Sequence, residues 1–216
     1  MVKKIIIMAK SFKHRKYCIA GIDYDTGEWI RLVSDDRDNE GAVPIDDVID
    51  TNGVEVEVLD IVRVKILDHV PSKAQRENYL YDPEFAWEII GHISFRDVVT
   101  RYGTTGCEYV FANNYKSQTE DELNGVSLLL LKIENPAVVV KTFPERVSVS
   151  LNFIYNGEYY SFLSISDIPV FQHFKSREDG TYHPFGESCY VVFSLTDKYS
   201  NDGKYYKMAA QFFEDN

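Results

Sequence analysis

A chain of 216 residues with 44% hydrophobic and 26% charged residues holds either one large β domain or two small ones, and is neither disordered nor fibrous. A formal net charge of −11 excludes an extended basic surface of the kind that grips duplex backbone without regard to sequence. Cys18, Cys107 and Cys189 are far apart, without C-x-x-C or partner-His spacing, and read as free thiols of a reducing compartment. The apolar run Ile5 to Ala9 is too short for a signal-peptide core, and no segment reaches the roughly 20 apolar residues of a membrane helix. The expectation is a cytoplasmic protein with no membrane partner.

Charge is unevenly distributed along the first sixty residues. Residues 1 to 33 carry seven Lys/Arg against three Asp/Glu, and residues 34 to 60 carry ten Asp/Glu against one Arg. Any polyanion site would therefore be local, made by the first segment; the alternative is that the two stretches neutralise each other.

Strand patterns open the chain at Lys3 to Ala9, Lys16 to Tyr24 and Glu28 to Val33, the last two joined by Asp25-Thr26-Gly27 as a tight turn. A period of two in Glu28 to Val33 sends Ile30 and Leu32 to the core and sets Trp29 and Arg31 together outside it. Ser34 to Gly53 reads as a polar excursion, and Val54 to Val70 as a strand pair or one bent strand ending at Pro71. Asp82-Pro83-Glu84 predicts a helix start, and Ser94 to Asp97 a capping box opening a short helix that Gly103 stops. Strands resume at Val126 to Glu134 and Ala137 to Phe143, separated by Asn135-Pro136. Val147 to Tyr155 and Glu158 to Ile165 then form a hairpin across Asn156-Gly157, and Cys189 to Leu195 and Tyr205 to Phe213 finish the chain.

Fifteen Tyr and thirteen Phe, many in pairs such as Tyr159-Tyr160 and Tyr205-Tyr206, suit pleated, half-buried surfaces. About eleven strands fit a mainly β fold of two five-stranded Greek-key barrels of OB type, with short helices between or capping them. Gly27-Glu28-Trp29 and Gly157-Glu158-Tyr159 echo each other at two hairpin turns. The expected units are 1–104, a first barrel with a helical insertion, and 105–216, a second barrel.

Tyr17-Cys18-Ile19-Ala20-Gly21-Ile22-Asp23 followed by Thr26-Gly27-Glu28-Trp29-Ile30-Arg31 resembles a bacterial family described as having a dual OB domain. The likeness continues through Asp60-Ile61-Val62, Gln75-Arg76-Glu77-Asn78, Ser194-Leu195 and Tyr206-Lys207-Met208-Ala209-Ala210. The resemblance implies two OB-type barrels and no activity to carry over.

An OB barrel typically offers a groove where bases stack on aromatics while Lys and Arg follow the backbone. Trp29 and Arg31, beside Lys13, Arg15 and Lys16, supply those components. The competing reading has Arg31 stacked on Trp29 and paired with an acid such as Asp35 or Asp60. Gln75, Glu77 and Asn78 either read a base edge or cap a following helix.

The run Asp35 to Glu40 has oxygen ligands at alternating spacing but lacks the Gly and distant Glu of an EF-hand loop, so it reads as a solvated loop. Five dispersed His, with no G-x-S-x-G and no phosphate-binding or dinucleotide Gly-rich motif, predict no metal, no cofactor and no catalytic residue. The leading expectation is a binding module for single-stranded DNA, RNA or a nucleotide-like ligand, using the first barrel and the cleft between barrels. A protein-interaction or scaffolding module and a metal-dependent phosphodiesterase are the alternatives.

Overall fold

In the structure, a computed structural model, residues 1–13, 16–36 and 40–215 are described, Lys13 by its backbone. The chain forms two compact units, residues 1–72 with 76–103, and residues 73–75 with 104–216.

The first unit contains β1 (Val2–Lys13), β2 (Lys16–Asp23), β3 (Trp29–Val33), β4 (Asp60–His69), β5 (Asn78–Tyr81), β6 (Glu88–His92) and α1 (Phe95–Tyr102). β1 is long because it serves two partners: Ile5–Lys13 runs against β2, and Val2–Ile6 against β4. A bulge between Ile7 and Ala9 lies along its pairing with β2. The order β1-β2-β3-β5-β4 thereby returns to β1 and closes a five-stranded barrel, with β3 and β5 parallel. β6 adds to β4 outside the closed circuit.

Alternation in β4 buries Val62, Val64 and Ile66 while Arg63 is exposed. At Gly21 two strands come so close that a Cβ would lie 2.3 Å from the Ile6 carbonyl oxygen and 2.6 Å from Ile5 Cγ2, which only glycine allows.

The second unit contains β7 (Ser117–Gln118), β8 (Leu128–Phe143), β9 (Arg146–Tyr155), β10 (Glu158–Ile165), α2 (Ile168–Phe174), β11 (Gly180–Tyr182), β12 (Ser188–Leu195) and β13 (Tyr205–Glu214). Its closed circuit β8-β9-β10-β13-β12 repeats that of the first barrel, including the parallel pair, here β10 with β13. Its core includes Leu129, Leu131, Val138, Leu151, Phe153, Tyr160, Val191 and Phe193. α2 follows the third strand and starts at Asp167, whose buried carboxylate accepts from Val170 N at 3.0 Å and Phe212 N at 2.9 Å. Burial pushes that carboxyl above its ordinary value, against both backbone hydrogen bonds.

Several local expectations hold. Ser94 Oγ accepts from Asp97 N at the start of α1, and Gly103 ends it at φ +73°. Asn156 and Gly157 both take positive φ in the β9–β10 turn. Two need correction. Asn135-Pro136 does not separate two strands, because β8 runs through it with a bulge between Glu134 and Ala137. Proline lacks an N–H, so it fits a bulge where no ladder bond is asked of it. Asp82 opens a turn instead of a helix, its Oδ1 accepting from Glu84 N at 3.0 Å; six residues separate β5 from β6, and the buried Trp87 lies at their end.

Candidate functional site

In an OB barrel the outer face of the second and third strands is the usual ligand platform. In the first barrel that is the outer face of β2 and β3. Side-chain parity follows the sequence expectation, since Ile30 pairs with Gly21 and Leu32 with Ile19 on the interior side, while Trp29 pairs with Ile22 and Arg31 with Ala20 on the other. The expected exposure of Arg31 does not follow. Arg31 is 4% exposed, and Ile6, Ala20 and Ile22 on the same face are buried as well. Trp29 is half-buried.

The Arg31 guanidinium donates to Glu77 Oε1 from Nε at 3.2 Å and from Nη2 at 3.1 Å, while Arg31 N donates to Glu77 O at 2.8 Å. Arg31 thus meets Glu77, brought by the parallel β3–β5 pairing, where the sequence reading names Asp35 or Asp60.

Other lysines of the first segment are matched to acids. Lys3 pairs with Asp23, Lys4 with Asp25 at 2.8 Å, and Lys16 with Asp36. Lys10, buried, contacts Glu55 at 3.0 Å and Glu57 at 2.9 Å. Glu55 also accepts from Tyr17 Oη at 2.8 Å, and burial together with that carboxylate pushes the Tyr17 phenol up to about 12. Arg15, the Lys13 side chain and residues 37–39 of the acidic run lie outside the described residues.

Gln75 to Asn78 lead into β5, so there is no helix for them to cap. Gln75, whose Nε2 donates to Leu195 O at 3.0 Å, belongs to the second unit, while Glu77 and Asn78 belong to the first.

The corresponding face of the second barrel is different. β8 and β9 pair Val138 with Leu151 and Val140 with Val149 on the inside, which sets Lys141 beside Ser148 and Phe143 beside Arg146 on the outside. β9 and β10 place Phe153 against Tyr160 within the core, rings stacked at 4.8 Å, and Ile154 beside Tyr159 outside. A bulge between Tyr160 and Leu163 adds Phe162, at φ +58°, whose N–H donates to Asn152 Oδ1 at 2.8 Å.

Tyr159 is 60% exposed, and Phe143 and Phe162 are 45% exposed. Lys141 Nζ sits 4.7 Å from the Phe162 ring centroid and the Arg146 guanidinium 5.6 Å from that of Phe143. Among the described residues neither cation is paired with a carboxylate. Two ring-and-cation pairs and a further exposed ring therefore occupy one sheet face, a composition suited to stacking flat groups beside anionic ones. The Tyr159-Tyr160 pair after Asn156-Gly157 was the sequence signal for this face; the bulge that turns Phe162 outward left none.

The same barrel contains a buried cation. Lys207 is 1% exposed, its Nζ donating to Asn113 O at 2.5 Å and Oδ1 at 2.8 Å, and lying 5.7 Å from the Tyr160 ring centroid. Burial pulls its amine down to about 7, against the nearby Glu122. Tyr160 Oη accepts from Val110 N at 3.0 Å, so Lys207 and Tyr160 together fasten the 110–113 segment to the barrel. That role is structural.

No group of His, Cys, Asp and Glu among the described residues is arranged to hold a metal ion, and no described helix is long and apolar enough to cross a membrane. A family model described as a dual OB-containing domain matches residues 3–212. No curated protein and no solved structure matches.

Proposed function

This chain belongs to the dual OB-containing domain family, and on that premise we propose that it is a binding module for single-stranded nucleic acid whose main platform is the outer β9–β10 face. The observation that carries this reading is the exposed ring set Phe143, Tyr159 and Phe162 with Lys141 and Arg146 resting on two of the rings and, among the described residues, no carboxylate paired with either cation. A single strand presents unpaired bases and phosphates at short alternating intervals, and rings with adjacent cations answer both. The alternative platform is Lys13, Arg15, Lys16, Trp29, Arg31, Glu77 and Asn78 of the first unit; Gln75, read with them from the sequence, belongs to the second. That platform takes second place because its central cation is buried against Glu77.

A net charge of −11 opposes a polyanion at long range, so attraction is local, affinity is modest, and binding weakens steeply with salt.

Fluorescence anisotropy with short labelled DNA and RNA at two salt concentrations tests the proposal. Tyr159→Ala should weaken binding with its salt slope nearly unchanged, Arg146→Ala should flatten the slope by about one counterion, and Trp29→Ala should bind as the parent does. Loss on Trp29→Ala with Tyr159→Ala unaffected would move the platform to the first barrel. A parent that binds no oligonucleotide at low salt would sink the nucleic-acid reading and leave a protein partner as the occupant of the exposed rings.

A further inference from the structure

Bulky residues rarely take positive φ, because Cβ crowds the backbone there. Phe111 does so at φ +63° and lies in the core of the second barrel, where burial of its ring offsets the strain. Phe162 does so at φ +58° with its ring 45% exposed. Its backbone is held on both sides: the residues flanking the bulge are paired, Tyr160 with Phe153 and Leu163 with Leu151, and its own N–H is fixed on Asn152 Oδ1. The bulge therefore turns a ring towards solvent that regular pairing would not place there, with only partial burial to compensate. Strain that persists where the surroundings impose it is a mark of displayed, functional groups. Lys141 lies over this ring at 4.7 Å, where an arriving flat group would have to displace it.

Resting on the reading of this face as a single-strand platform, we infer that Phe162 is the seat of one unpaired base, and that Lys141 leaves the ring as the base stacks and engages the adjoining phosphate. The charges support that occupant: a base replaces the cation on the ring face, and its phosphate supplies the anion the released ammonium lacks. An uncharged flat ligand would have to strip Lys141 from the ring with nothing to receive it.

The exchange makes three variants behave differently. Phe162→Gly keeps the bulge, since glycine takes positive φ freely, so the variant should melt no lower than the parent while binding an oligothymidylate of about ten nucleotides roughly five- to a hundredfold more weakly. Phe162→Leu preserves apolar bulk without a π face and should show the same loss. Lys141→Met should reduce the salt slope by about one while retaining most affinity at high salt. Photocrosslinking with 5-iodouracil-substituted oligonucleotide should mark Phe162.

If the parent binds and Tyr159→Ala weakens it, yet both Phe162 variants bind as the parent does, the seat at Phe162 is wrong while the platform stands. If the parent does not bind, both are wrong. An unchanged salt slope in Lys141→Met, with the Phe162 variants weakened, would leave the stacking seat and overturn the cation exchange.

Discussion

The two barrels share one circuit of five strands, with the third and fifth parallel in each, and they differ in the outer face of their second and third strands. In the first barrel Arg31, Ala20 and Ile22 are buried on that face, and Arg31 is tied to Glu77. In the second barrel the same topological face shows Tyr159, Phe162 and, on the adjoining strand, Phe143, with cations resting on two of the rings and, among the described residues, on no acid. Identical strand order thus leaves function undetermined. What distinguishes the two faces is whether their polar groups are already satisfied within the protein.

The sharpest way to break this comparison is to disturb the first barrel and ask whether binding follows. Arg31→Ala takes the guanidinium away from the poorly solvated Glu77 carboxylate and should cost about 3 kcal/mol of stability. At temperatures where the variant is still folded, oligonucleotide affinity should be unchanged; a parallel fall in affinity would return the platform to the first barrel.

Gly21→Ala drives a methyl into the Ile6 carbonyl and should also cost up to about 3 kcal/mol. Hydrogen exchange should show lost protection in β1 and β2 with the β8–β9 pairing retained.

On the binding side, Tyr159→Ala should weaken single-strand affinity by about 1 to 3 kcal/mol with no change in unfolding midpoint, since its ring is largely exposed.

A last effect concerns pH. The folded Lys207 amine titrates near 7, while an unfolded lysine titrates near 10.4. Between those values the unfolded chain holds a proton that the folded chain lacks, so this lysine makes stability rise with pH from about 7 upward, by at most about 1.4 kcal/mol per pH unit. The buried Cys189 thiol, raised to about 12, acts in the opposite sense above about 8.5, and Tyr17, also raised to about 12, above about 10, so pH 7 to 8 is the window to measure. Lys207→Met should flatten the rise there; identical slopes in parent and variant would mean that the amine is solvated, and that the 110–113 segment is not fastened as described.

Much of the fold was legible because its determinants are local. Asp25-Thr26-Gly27 and Asn156-Gly157 specify turns through residues that accept positive φ or bond their own backbone. The period of two in β3 assigned Ile30 and Leu32 to the interior, and Ser94 with Gly103 bracketed α1. These signals act over a few residues and need no knowledge of distant chain.

The candidate site was less legible. Trp29 and Arg31 had the right parity, but parity says only which side of a sheet a side chain leaves from, and whether that side is open depends on what the rest of the chain brings to it. Glu77 reaches Arg31 from 46 residues away through a parallel pairing that no short-range pattern encodes. Phe162 read as one more residue of the Glu158 to Ile165 strand, and only the unequal lengths of chain paired between β9 and β10 put its ring outside. Most of the long strands, the hairpin turns and the inward direction of Ile30 and Leu32 could be read from the sequence, because steric and hydrophobic preferences act residue by residue, whereas the short β5 that closes the first barrel could not. Which charges are consumed and which rings remain displayed was decided by tertiary structure, because pairing and exposure are properties of residues that meet only when the barrels close.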